Sequence, residues 1–151
     1  MNHNSAYALT GLGWSKLYAG SIEEVIRLAE QAICLSPRDP DIGYCYSLIG
    51  TAHLLQSHID EAIVWLEKAR SAAPAAPFTR SRLAAAYALE GETKRATAEL
   101  SEARRLSSGD RFSSITRLKA KAIGSLVAPE IRDLFEATYF AGLRKAGMPE
   151  E

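Results

Sequence analysis

From Gly43 to Pro74 the chain reads GYCYSLIGTAHLLQSHIDEAIVWLEKARSAAP, and the residue types in that stretch recur at a fixed interval. Tyr46, Ile49, Gly50 and His53 fall on one helical face, followed by Ala62, Leu66 and Ala69, with Pro74 as a stop. Thirty-four residues on, the matching positions are Leu83, Ala84, Tyr87, Ala96, Leu100 and Ala103. Thirty-seven residues back they are Leu9, Leu12, Gly13, Gly20, Val25, Ala29, Ala32 and Pro37. The three extra residues lie in SPRDPDIG, where Pro37 and Pro40 cannot continue a helix. Gly50 and Ala62 are small enough for two helices to approach closely, while Tyr46 and Leu66 fill the space around the contact. A period of this length marks stacked helix pairs, each unable to bury its apolar face alone, and three units are the minimum for a continuous core.

The pattern predicts an all-α chain, a right-handed αα-superhelix of three repeats at about 6–39, 43–76 and 77–108 with a C-terminal two-helix cap over 109–151. The paired helices are expected near 5–19 and 22–35, 41–56 and 60–72, 77–90 and 94–107. Ser21 and Glu24 have the spacing of a capping box, and Gly20 and Gly91 suit the tight turns between paired helices. After Ser107 the period stops. A seventh helix is predicted from about Phe112 to Ser125, and Pro129 opens another whose apolar positions are Ile131, Leu134, Phe135, Tyr139 and Leu143. Gly147 and Pro149 end it. Terminal units of a stack need a polar outer face, so this segment is expected to close the third repeat.

Composition agrees with one globular domain: 151 residues, 47% hydrophobic and 24% charged, rich in alanine and poor in valine. The formal net charge is zero, so no overall field draws the chain to nucleic acid or to an anionic membrane. The charge is nevertheless polarised: residues 80–121 hold ten Lys/Arg against five Asp/Glu, the rest eight against thirteen. That basic run is expected to be a solvated helical face. MNHNSAYALT lacks the pattern of a signal peptide, and no apolar run reaches membrane-spanning length, which points to a cytoplasmic protein. Cys34 and Cys45 form no metal motif, and both are expected to be free, buried thiols.

The motif over residues 6–108 resembles the tetratricopeptide repeat. A narrower likeness lies in GWSKLYAGSIEEVIRLAEQAICLSPRDP, GTAHLLQSHIDEAIVWLEKA and the closing GLRKAGMPE. These resemble the C-terminal tetratricopeptide region of bacterial, rhizobial-type class III adenylate cyclase-like proteins, in which a catalytic or DNA-binding domain precedes the repeats. The metal-binding aspartates and nucleotide pocket of the cyclases have no counterpart in this sequence, so the likeness implies the repeat module and no cyclase activity. It leaves two readings: a non-catalytic interaction module, or a detached regulatory region of a signalling protein.

The resemblance also implies a concave groove lined by the first helix of each pair. Its inward positions would be Tyr7, Thr10, Trp14 and Leu17, then Tyr44, Ser47, Thr51 and Leu54, then Phe78, Ser81, Ala85 and Ala88. Tyr7, Tyr44 and Phe78 would form an aromatic strip, with Trp14 beside it and Arg82 at its edge. Aromatic residues and arginine dominate binding hot spots, so a peptide or protein partner is expected there. The alternative is that the cap, loops or a second copy of the chain cover these side chains. Some tetratricopeptide proteins hold a pair of terminal carboxylates with two lysines, two asparagines and an arginine. At the matching positions this chain has Thr10, Trp14, Leu48, Phe78 and Arg82, so only the arginine is kept. His53 and His58, five apart on a continuous helix, would point about 140° from each other and could not chelate as a pair. Trp65 is expected to cover the joint between adjacent hairpins. No nucleophile elbow, phosphate loop or acid–base carboxylate pair is present, and no cofactor, metal or enzyme activity is expected.

Overall fold

A computed structural model describes residues 3–122 and 127–151, and its regular structure is helical throughout. Six helices come first: α1 (His3–Ala19), α2 (Ile22–Leu35), α3 (Ile42–Leu55), α4 (Ile59–Ala72), α5 (Pro77–Leu89) and α6 (Thr93–Leu106). They pack as the adjacent pairs α1/α2, α3/α4 and α5/α6, and the pairs meet through α2/α3 and α4/α5. Each second helix buries a triad at i, i+4 and i+7, one face of a helical turn and its successors. The triads are Val25, Ala29 and Ala32, then Ala62, Leu66 and Ala69, then Ala96, Leu100 and Ala103. Helix α3 is apolar on nearly all sides and is buried accordingly, through Leu48, Ile49, Ala52, Leu54 and Leu55. A Cβ built on Gly50 would lie 2.6 Å from Leu66 Cγ, so only glycine admits α4 this close. No described helix is long and apolar enough to cross a membrane.

The three hairpin turns share one hydrogen-bond pattern. Gly20, Ser57 and Gly91 donate to the carbonyls of Leu17, Leu54 and Ala88, and the next residues, Ser21, His58 and Glu92, donate to Lys16, His53 and Tyr87. This pair of bonds ends a helix when one residue enters the left-handed region. That residue has φ 99° at Gly20, 63° at Ser57 and 89° at Gly91. The turns stand 37 and 34 residues apart, the intervals of the sequence pattern. The expected capping box does not form: Ser21 makes no side-chain cap, its N–H is donated to the Lys16 carbonyl at 2.9 Å, and the Glu24 carboxylate pairs instead with Lys16 Nζ at 3.3 Å. Hairpins two and three are also tied by Glu99, a buried carboxylate on α6 that pairs with Arg70 of α4 and, at 3.1 Å, with Arg80 of α5. Cys45 is buried as expected, but Cys34 is exposed, since it lies off the buried triad of α2.

The C-terminal segment departs from the expected end cap. Helix α7 (Ile115–Ala122) starts where Ser114 Oγ accepts the Arg117 N–H, at 3.2 Å. The N–H groups of Ile115 and Thr116 donate to the carbonyls of Pro149 and Glu150. Phe112 precedes this helix as a buried turn residue, and the predicted end at Ser125 lies outside the described residues. Helix α8 (Pro129–Phe135) runs through a π-helical turn (Glu136–Phe140) into α9 (Ala141–Lys145). This run does not continue the stack beyond α6. It lies across α1, α3 and α5, with the Ala128 N–H on the Tyr18 carbonyl at one end and Gly142 against the Ala85 backbone at the other. The wider turn sends both Tyr139 and Phe140 inward beside Phe135, and Ile131 and Leu143 complete the buried face. One contiguous apolar core therefore runs from Leu17 to Met148.

Candidate functional site

Between α1, the first halves of α3 and α5 and the C-terminal helix lies a cavity of about 870 Å³. Seven of the nine predicted site residues line it: Tyr7, Thr10 and Trp14 from α1, Tyr44 and Ser47 from α3, Phe78 and Arg82 from α5. The helices place them by register. Tyr7 and Tyr44, 66% and 60% exposed, stand at the mouth, while Trp14, Phe78 and Arg82 are half-buried. Thr10 and Ser47 are buried in the wall.

Thr51 and Ser81 do not reach the cavity. Thr51 is fully buried, with its hydroxyl donating to the Ser47 carbonyl at 2.7 Å. Ser81 is fully buried under the C-terminal helix, its Oγ 2.6 Å from the Tyr139 hydroxyl. Burial there pushes the Tyr139 phenol up to about 12, so it stays protonated and serves as a structural hydrogen-bonding group. Leu17, Leu54, Ala85 and Ala88 are likewise buried in the core. Of the two occupants weighed for this face, the chain's own C-terminal helix thus takes one part and leaves the other open.

Arg82 is the centre of the open part. Its guanidinium carbon lies 4.9 Å from the Trp14 ring centre and 5.5 Å from that of Phe78. One terminal N–H donates to Ser47 Oγ at 3.2 Å, and Nε is buried without a hydrogen-bond partner among the described residues. Trp14 stacks on Tyr18 at 6.1 Å, and Tyr18 on Phe135 at 6.3 Å, which extends an aromatic floor from α1 to α8. Phe78 meets Phe112 edge-on at 5.2 Å. Sequence periodicity missed Tyr18, Phe135, Tyr139 and Lys121 as lining residues. Phe135 and Tyr139 carried a signal, the i, i+4 apolar pair, but it identifies a buried helix face and not the surface it meets. Thr10 Oγ donates to the Ala6 carbonyl at 2.8 Å and lies 3.0 Å from Cys45 Sγ. Burial raises the pKa of that thiol, which leaves it a poor nucleophile.

The two histidines come together against expectation. His58 is not on α3: the left-handed turn at Ser57 folds it back, and the two Nδ1 atoms lie 3.5 Å apart. Burial lowers the His53 pKa, His58 lowers it further, and Glu61 opposes the shift. Among the described residues no group of three or more His, Cys, Asp or Glu side chains could hold a metal ion. Trp65 packs 5.9 Å from Tyr46 of its own hairpin, with Lys68 Nζ over its ring. Much of the basic run is paired internally: Arg80 with Glu99, Arg105 with Glu102, Arg117 with Asp110 and Lys119 with Glu136. In comparison with known proteins, no family model and no curated protein matches the chain.

Proposed function

We propose that this chain is a non-catalytic interaction module of the tetratricopeptide type, a right-handed αα-superhelix that binds a peptide or protein segment in the cavity between α1, α3 and α5. The observation that carries the reading is the arrangement of the cavity: two exposed tyrosines, Tyr7 and Tyr44, lead into a half-buried cluster of Trp14, Phe78 and Arg82. Tyrosine, tryptophan and arginine dominate binding hot spots: the two aromatics bury large area with few rotatable bonds, and arginine adds a planar fork of hydrogen-bond donors. A volume of about 870 Å³ accommodates a few side chains of a partner. The repeat assignment is supported by the triple recurrence of the same turn at the intervals of the sequence motif. The non-catalytic assignment is supported by the state of the lining hydroxyls. Thr10 is spent on a backbone carbonyl, Ser47 accepts from Arg82 and Thr79, and among the described residues no histidine lines the cavity.

Selection of a random peptide library against the immobilised protein tests the reading. Selected peptides, resynthesised with a fluorophore, are expected to lose tenfold or more in affinity for the Trp14→Ala/Tyr44→Ala double variant. Tyr7→Ala/Tyr44→Ala, which alters only exposed side chains, should weaken binding without moving the melting temperature. Undiminished binding by both variants places the peptide site elsewhere.

A further inference from the structure

The cavity holds a cation that no described residue neutralises. Among the described residues no carboxylate lies within ion-pair distance of Arg82, and the buried acid of the neighbouring helix α6, Glu99, is taken by Arg70 and Arg80. Among the described residues the buried Nε of Arg82 has no acceptor, although buried polar groups in native proteins are nearly always hydrogen-bonded. An arginine on two aromatic faces, with part of its fork unoccupied, is preorganised to receive a planar carboxylate. Two further features carry the same sign. Helix α5 begins after Ala76 with no side-chain cap, so the positive end of its dipole faces the lining formed by Pro77, Phe78 and Thr79. Lys121 also reaches the lining and pairs with no described carboxylate. The acids of the cavity, Asp39 and Asp41, precede α3. Ser47, the partner of Arg82, is six residues beyond Asp41, about 9 Å away at the rise of an α-helix. The cavity is therefore polarised along α3, acidic at the helix start and basic at Arg82.

We infer that the partner presents an internal acidic segment, with an Asp or Glu side chain on Arg82 and an adjacent apolar side chain against Trp14 and Phe78. This rests on the reading of the cavity as a peptide site. An internal segment is favoured over a chain terminus by two observations. Seating a terminal carboxylate pair takes several donors, and of the five positions compared above only Arg82 carries one of the required side chains. Tyr7 and Tyr44 also extend the apolar surface outside the cavity, which suits a chain that continues past the acid.

The test uses a random peptide library displayed within a phage coat-protein loop, so that no peptide has a free C-terminus, and selects against the full chain and its Arg82→Gln variant. Wild type should enrich Asp or Glu beside an aromatic or branched apolar residue, and Arg82→Gln should not. In the resynthesised, end-blocked peptides, replacing the acid by its amide should cost about tenfold in affinity for wild type, within the range of one charge-assisted hydrogen bond. The same replacement should cost less than twofold for Arg82→Gln. Arg82→Lys, which keeps the charge and loses the fork, should fall between. The acid-to-amide comparison is made on wild-type protein and stands even if the arginine variants fold poorly. Enrichment with no acidic preference, or equal binding of acid and amide, overturns the inference while leaving the cavity a peptide site. No enrichment at all overturns both.

Discussion

Gly142 is the residue at which the C-terminal helix comes closest to α5. A Cβ there would lie 2.5 Å from the Ala85 carbonyl oxygen and 2.7 Å from its Cα, both backbone atoms that cannot rotate away. At Gly13 the same test meets only the Leu48 side chain, with Cδ2 at 2.5 Å, the far end of a group that can change rotamer. Alanine in a helix gains up to ~1 kcal/mol over glycine, while forced overpacking costs ~1–3 kcal/mol. Gly13→Ala is therefore expected to stay within about 1 kcal/mol of wild type, and Gly142→Ala to lose about 2 kcal/mol or more, in urea titrations. A second residue-scale prediction concerns His53. Its folded pKa lies below the ordinary 6.5, so around that value the unfolded chain binds the proton more readily. The contribution is fully present above 6.5 and is lost as pH falls toward the folded pKa. Melting temperatures of wild type should fall between pH 7 and 5.5, and those of His53→Gln should fall less. The ring is half-exposed, so solvent screening keeps the difference small. An equal or steeper slope in the variant would remove His53 as the cause.

At the scale of elements, the recurrent unit is the helix–turn–helix hairpin, and one of its three turns is built from the wrong residue. Gly20 and Gly91 reach positive φ without a side chain to crowd the backbone, whereas Ser57 does so at 63° with one. A left-handed non-glycine residue costs roughly 1–2 kcal/mol, partly offset by the greater flexibility of glycine in the unfolded chain. Ser57→Gly is expected to stabilise the protein by about 0.5–1 kcal/mol, read as a higher urea midpoint at unchanged m-value. A lower midpoint would mean that the Ser57 hydroxyl supports the turn in a way its backbone angle does not reveal. The hairpins themselves were legible in the sequence. Triads such as Ala62, Leu66 and Ala69 leave a helix only one face to bury, and glycine marks two of the turns. The boundaries fell within about two residues of expectation for that reason. The turn at Ser57, and with it the meeting of His53 and His58, was not legible, because serine alone does not announce a left-handed residue. The capping box failed for a similar reason: spacing does not reveal that the turn itself uses the Ser21 N–H, on the Lys16 carbonyl, before Glu24 can reach it.

In the whole molecule, the C-terminal helix decides how much of the face formed by α1, α3 and α5 is left for a partner. Its apolar pattern was plain in the sequence, but a pattern fixes which face is buried and not what it is buried against. By register alone seven of the nine candidate residues come to line the cavity, while Thr51 and Ser81 are interior. Two occupancy states can be imagined for this helix, a permanent wall or a displaceable stand-in for a partner, and magnitudes separate them. Ile131, Phe135, Tyr139, Phe140 and Leu143 are all nearly completely buried. Each such burial stabilises by roughly 1.5–3 kcal/mol, so together they reach the ~5–15 kcal/mol that holds a whole domain folded. Displacement would also strip Ser81 of its bond to Tyr139. A partner bound at micromolar affinity, about 8 kcal/mol, does not supply that cost and its own binding energy as well. The helix is thus expected to be a permanent wall of the cavity. A chain ended at Ala128 should lose its cooperative thermal transition and bind a dye specific for exposed apolar surface, while retaining part of its helical circular dichroism. If that shortened chain instead melts cooperatively near the temperature of the full chain and binds the selected peptides more tightly, the helix is an occupant of the groove and the cavity described here is only its uncovered end.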